Sequence, residues 1–131
     1  MNEEMMEQKT LPSLADATAL ELAEAARDVL ESKKATNVSV ICVTGRSDIT
    51  DYLVLATGGS APHVKALADE VDFRLSQREA FPLHTDGLNT RSWQIVDYGT
   101  VMVHIFDRES REFFNLDKLY KETKTDDTES K

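Results

Sequence analysis

The sequence predicts a single α/β domain of the α+β kind: a mixed sheet of about five strands with helices packed on it. Three observations predict it. Two stretches carry apolar residues at helical spacing, Leu22-Ala25-Ala26-Val29-Leu30 and Val64-Leu67-Ala68-Val71-Leu75. Short apolar runs bounded by turn residues lie between and after them. The order of these units, strand then helix then strand, suits a parallel crossover. At 131 residues the chain fits one domain and can bury a core without disulfides or a structural metal.

The first helix is expected from about Asp16 to Lys33, with Thr18 and Glu21 at capping-box spacing. Asn37 to Thr44 and Tyr52 to Thr57 read as buried strands. The short connector between them, Gly45-Arg46-Ser47-Asp48-Ile49-Thr50, predicts antiparallel pairing. Gly58-Gly59-Ser60 then ends a strand, Ser60 can cap the next helix, and Pro62 suits its first turn. That helix is expected to end near Arg78, and Pro82 to open a short strand through Thr85. Ser92 to Asp97 and Thr100 to Asp107 flank Asp97-Tyr98-Gly99-Thr100, a tight hairpin. Glu109 to Tyr120 reads as a closing helix. Residues 1–12 form a polar arm, 13–120 the domain, and 121–131 a polar tail without apolar residues, expected to be disordered.

Charge bounds the function. Asp and Glu number 24 against 15 Lys and Arg, a formal net charge of -9. Phosphate binding needs a surplus of cations, so specific nucleic-acid readout is not expected. A basic protein partner suits such a surface, although part of the charge sits in the tails. The lone Cys42 cannot form an internal disulfide and is expected in the core. No run spans a bilayer, and Glu3, Glu4 and Glu7 do not fit a transit peptide. Bacterial cytoplasm is the simplest placement.

An enzyme reading fails on residues. Gly58-Gly59-Ser60 between a strand and a helix is where a backbone can approach phosphate. The nucleotidyltransferase superfamily has a Gly-Ser turn there, followed by paired acids on a nearby strand that hold metal ions. Here Asp69, Glu70 and Asp72 fall on the helix, and only Asp86 follows in the next strand region. Asp48 and Asp51 precede the turn, and no Gly-Lys-Ser/Thr follows the glycines. The turn reads as a helix cap. His63, His84 and His104 have no partner at a recognised ligand spacing, so no metal or cofactor is expected, and His104 is expected to be a hydrogen-bonded structural residue.

The last hairpin is the expected binding surface. Val101, Val103 and Ile105 alternate with Met102, His104 and Phe106, so both faces of that strand are largely apolar. Either helices cover both faces, or part of the hairpin docks a partner with Trp93 or Tyr98 exposed. On the second reading Trp93, Ile95, Tyr98 and Met102 are apolar anchors, and Asp86 and Asp97 face basic groups of the partner.

From about Leu20 to Tyr120 the chain resembles the Iojap-like ribosomal silencing factors. The resemblance lies in Ser47-Asp48-Ile49-Thr50-Asp51-Tyr52 with the strand after it, and in Ser60, His63, Val64, Ala66, Ala68 and Asp69. It continues in Trp93-Gln94-Ile95-Val96-Asp97-Tyr98-Gly99 with Val101, Val103, His104 and Phe106, and in the stretch Arg111 to Tyr120. Pro62, Thr100 and Tyr120 depart from the family's usual residues. The resemblance implies a nucleotidyltransferase-like topology without its catalytic acids. It implies binding to the large ribosomal subunit through its fourteenth protein, a steric block to joining of the small subunit when nutrients are scarce, and a homodimer when free. A catalytically active nucleotidyltransferase-like enzyme, a ribosome assembly factor or a dimeric adaptor are the alternatives.

Overall fold

The computed structural model describes residues 11–87 and 93–114, without the side chains of 113 and 114. Helix α1 (Ala19–Ser32) starts where the sequence places its cap. Thr18 accepts from the Glu21 amide while Glu21 accepts from the Thr18 amide, at 3.1 and 3.0 Å. Its apolar stripe, Leu22 to Leu30, is buried. Strands β1 (Thr36–Cys42) and β2 (Tyr52–Gly58) pair antiparallel, as the short connector predicts. Helix α2 (Ala61–Gln77) is capped by Ser60 and carries Pro62 in its first turn. Then come β3 (His84–Asp86), β4 (Trp93–Asp97), β5 (Val101–Asp107) and helix α3 (Arg108–Phe114). The expected continuation of α3 to Tyr120, the terminal tail and residues 1–10 of the arm lie outside the described residues.

The five strands form one mixed sheet in the order β1-β2-β5-β4-β3. The crossover from β2 is parallel, but its hydrogen-bonded partner is β5, not the next strand in sequence. The chain passes over the slot, lays down β3 and β4 at the far edge, and returns through the hairpin to fill it. The two central strands are therefore the most apolar, since each is flanked on both sides and packed on both faces.

One face of the sheet carries Val54, Ala56, Val96, Val101, Val103 and Ile105, packed under α1 and α2 in the main core. The opposite face has a smaller cluster: Val43, Leu53, Leu55 and Phe106, with Ile41, Trp93 and Met102 half-buried around it. This split explains the doubly apolar β5. Helix α3 bonds to this second face through Arg111. Arg111 reaches from α3 to the hydroxyls of Thr57 and Ser39, at 3.0 and 3.4 Å, and to the carbonyl of Asn37. Asn37 sits at a break in the β1 register with φ +50°, which turns that carbonyl out of the ladder.

Cys42 corrects an expectation. It is exposed, because it is the last residue of β1, which is an edge strand among the described residues. A hydrogen bond with Thr44 lowers its thiol pKa.

Candidate functional site: the second face of the sheet

Register decides which of the six expected site residues share a surface. Residues opposite one another on antiparallel strands lie on one face. Trp93 faces Phe106, Ile95 faces His104, and Asp97 faces Met102. On the other side of β4, Asp86 faces Ile95 and His84 faces Asp97. Trp93, Ile95, Asp97, Met102 and Asp86 thus stand on the second face, away from α1 and α2. Trp93, Ile95 and Met102 are half-buried and Asp86 is exposed.

An aromatic stack holds Trp93 in place. Its ring lies 5.0 Å from Phe106 and 5.8 Å from His104, and the His104 and Phe106 rings are nearly parallel at 6.0 Å. The indole N–H donates to His104 Nδ1 at 3.0 Å. His104 must therefore be neutral, with its proton on Nε2. Burial disfavours the charged ring and pushes its pKa down to about 4, while the nearby Asp97 opposes that shift. The structural role expected for His104 is what the geometry shows.

Two of the six residues have other partners. Tyr98 packs against the main core, and its hydroxyl is buried with no hydrogen-bond partner among the described residues. Burial, with Asp72 nearby, raises its pKa well above the usual range. It is half-buried at the hairpin's end and packs on the main core, because alternation from Ile95 turns it to the opposite side. Asp97 is 9% exposed. Its Oδ1 accepts from the Gly99 amide at 2.8 Å, and its Oδ2 lies 3.5 Å from His84 Nε2. It fixes the turn, a role common for Asp at this position.

The Gly-Gly-Ser turn is closed on itself. Gly59 donates its amide to His63 Nδ1 at 2.9 Å, and Ser60 Oγ accepts from the His63 amide at 3.3 Å. His63 Nε2 reaches the Lys33 carbonyl at 3.0 Å, which ties the start of α2 to the end of α1. A side chain at Gly58 would come within 2.9 Å of Val64 Cγ2 and 3.0 Å of its amide nitrogen. The small residues serve close helix–strand packing, and the Gly59 and His63 amides are engaged within the turn. Sequence reasoning did not find the His63 bridge. The i to i+4 spacing of Gly59 and His63 was its only local signal. Among the described residues, no three of His, Cys, Asp and Glu gather to hold a metal ion, and no helix is long and apolar enough to cross a membrane.

These features define a class: a one-sheet α/β domain in which α1 and α2 cover one face and aromatic side chains of the β4–β5 hairpin line the other. The family model described as ribosomal silencing factor during starvation matches residues 16–131. The chain belongs to that family. A ribosomal silencing factor of Haemophilus influenzae is 34% identical over 99 residues, 76% of this chain and 97% of the relative. One from Bacillus subtilis is 31% identical over 101 residues, 77% of this chain and 83% of the relative. A mitochondrial Iojap-related protein of Arabidopsis thaliana is 33% identical over 97 residues, 70% of this chain and 52% of the relative. A crystal structure of a Chromobacterium violaceum protein superposes with a TM-score of 0.75 at 25% identity, covering 79% of this chain and 87% of that one. One from Bacillus halodurans gives 0.68 at 29%, covering 77% and 94%.

Proposed function

We propose that this chain silences ribosomes by occupying the large subunit, through its fourteenth protein, where the small subunit would dock. Family membership over residues 16–131 carries this reading. No bond is made or broken; two occupants exclude one another. The docking surface is the second face of the sheet, with Trp93, Ile95 and Met102 as anchors and Asp86 facing a basic group of the partner. Tyr98 and Asp97 support that surface from within the chain. Half-buried aromatic and aliphatic side chains beside a rigid stack suit an interface, because they bury area with little further loss of freedom. A standard interface of roughly 800 Å² per partner is within reach of a domain this size. The chain works in the bacterial cytoplasm and pairs with itself when no subunit is available. An active nucleotidyltransferase is disfavoured by the engaged turn at Gly59 and Ser60.

The test is sedimentation with purified large subunits, followed by a subunit-joining assay. Binding and reduced joining are expected. Trp93→Ala should fold and weaken binding at least about tenfold, the effect of losing a buried aromatic anchor. Unchanged binding by that variant would remove the site and leave the function.

A further inference from the structure

His104 stands in the middle of the second face, on the central strand β5. Ile95 on β4 and Leu55 on β2 lie beside it, and Met102 and Phe106 flank it along its own strand. The residue is 7% exposed. Its Nδ1 is engaged, because it accepts from the Trp93 indole at 3.0 Å. In the neutral ring that bond places the proton on Nε2. Among the described residues, the Trp93 indole is the hydrogen-bond partner of this ring, and Nε2–H has no acceptor. Nε2 is also not among the buried polar atoms that lack a partner. The small exposed part of His104 therefore includes Nε2. This N–H opens onto the second face through a frame of apolar side chains.

We propose that His104 Nε2–H is the directional donor of the docking face and takes a backbone carbonyl oxygen of the partner. This role rests on the reading of the second face as the docking surface. There Trp93, Ile95 and Met102 supply area, and His104 supplies direction. The Trp93 N–H is turned inward onto Nδ1, so the indole meets the partner through its ring carbons. When a partner covers the face, water leaves Nε2. A partner with a carbonyl at that point keeps the hydrogen bond. One without it buries an unpaired donor, and that cost selects against it. A neutral acceptor fits better than a carboxylate, because Asp97 is close enough to act on His104 and would repel a second anion.

Two measurements test it. A long-range nitrogen–proton NMR spectrum of the imidazoles, taken on the full chain at neutral pH, should show the His104 proton on Nε2. A proton on Nδ1 would overturn the proposal. The second measurement is a mutant cycle in sedimentation with purified large subunits. His104→Leu is made in the natural chain and in Trp93→Phe, which keeps a ring and lacks the indole N–H. Binding should weaken about tenfold on this change in both backgrounds. His104→Gln should keep most of the binding, since its amide can accept from the indole and donate outward. If His104→Leu weakens binding in the natural chain alone, His104 acts only by holding Trp93, and the donor role is overturned. Unchanged binding in both backgrounds overturns it as well. Either failure leaves the docking face standing while Trp93→Ala still binds weakly. Unchanged binding by Trp93→Ala, or none by the natural chain, removes the face and this role together.

Discussion

At the scale of residues, the decisive group is His104. It accepts from the Trp93 indole and therefore needs an unprotonated Nδ1. Its folded pKa of about 4 lies below the ordinary 6.5, so protonation favours unfolding. The stability it contributes is complete above pH 6.5 and is lost as pH falls toward 4. By pH 5 the loss is about 2 kcal/mol. Urea unfolding at pH 7 and pH 5 should show this decline in the natural chain and a smaller one in His104→Gln; parallel declines would contradict it. Tyr98 makes the opposite kind of prediction. Its buried hydroxyl has no hydrogen-bond partner among the described residues. Tyr98→Phe should therefore unfold at higher urea, by about 1 kcal/mol, without loss of large-subunit binding. The sequence marked Tyr98 as an anchor because it is an aromatic residue in a turn. Nothing local showed that the turn would rotate it beneath the helices.

At the scale of elements, most boundaries were legible because their signals are local. Thr18 with Glu21, and Ser60 with Pro62, mark helix starts through short-range hydrogen bonds. Asp97 to Thr100 marks a hairpin through turn chemistry. What was not legible was long-range. The pairing of β2 with β5, the bridge from His63 to Lys33, and the reach of Arg111 to β1 all join residues distant in sequence. Cys42 misled for the same reason: an apolar neighbourhood in sequence does not show that its strand lies at the edge. Two substitutions test the packing of elements. Gly58→Ala forces a Cβ against Val64 and should destabilise by about 1–3 kcal/mol in denaturant unfolding. Lys34, just past α1, holds φ +72°, a conformation that glycine adopts freely. Lys34→Gly should raise stability by about 0.5–1 kcal/mol in the same assay.

At the scale of the whole molecule, function follows from how one sheet divides its faces. The first is spent on the core under α1 and α2. The second keeps a small aromatic and aliphatic cluster of its own, with an acidic edge beside it. The doubly apolar β5 was visible in the sequence, and the two readings it allowed were full helical cover or a docking face. Among the described residues α1 and α2 pack on one side, and Arg111 of α3 reaches the other. The partner itself was legible only through resemblance, because acidity and aromatic residues specify a kind of surface and not its occupant. The most direct measurement of the central claim is subunit joining in a purified system at saturating concentrations of this chain. The account predicts that the chain sediments with free large subunits and that joining falls, with Trp93→Ala restoring it. Normal joining together with no large-subunit binding would contradict the account.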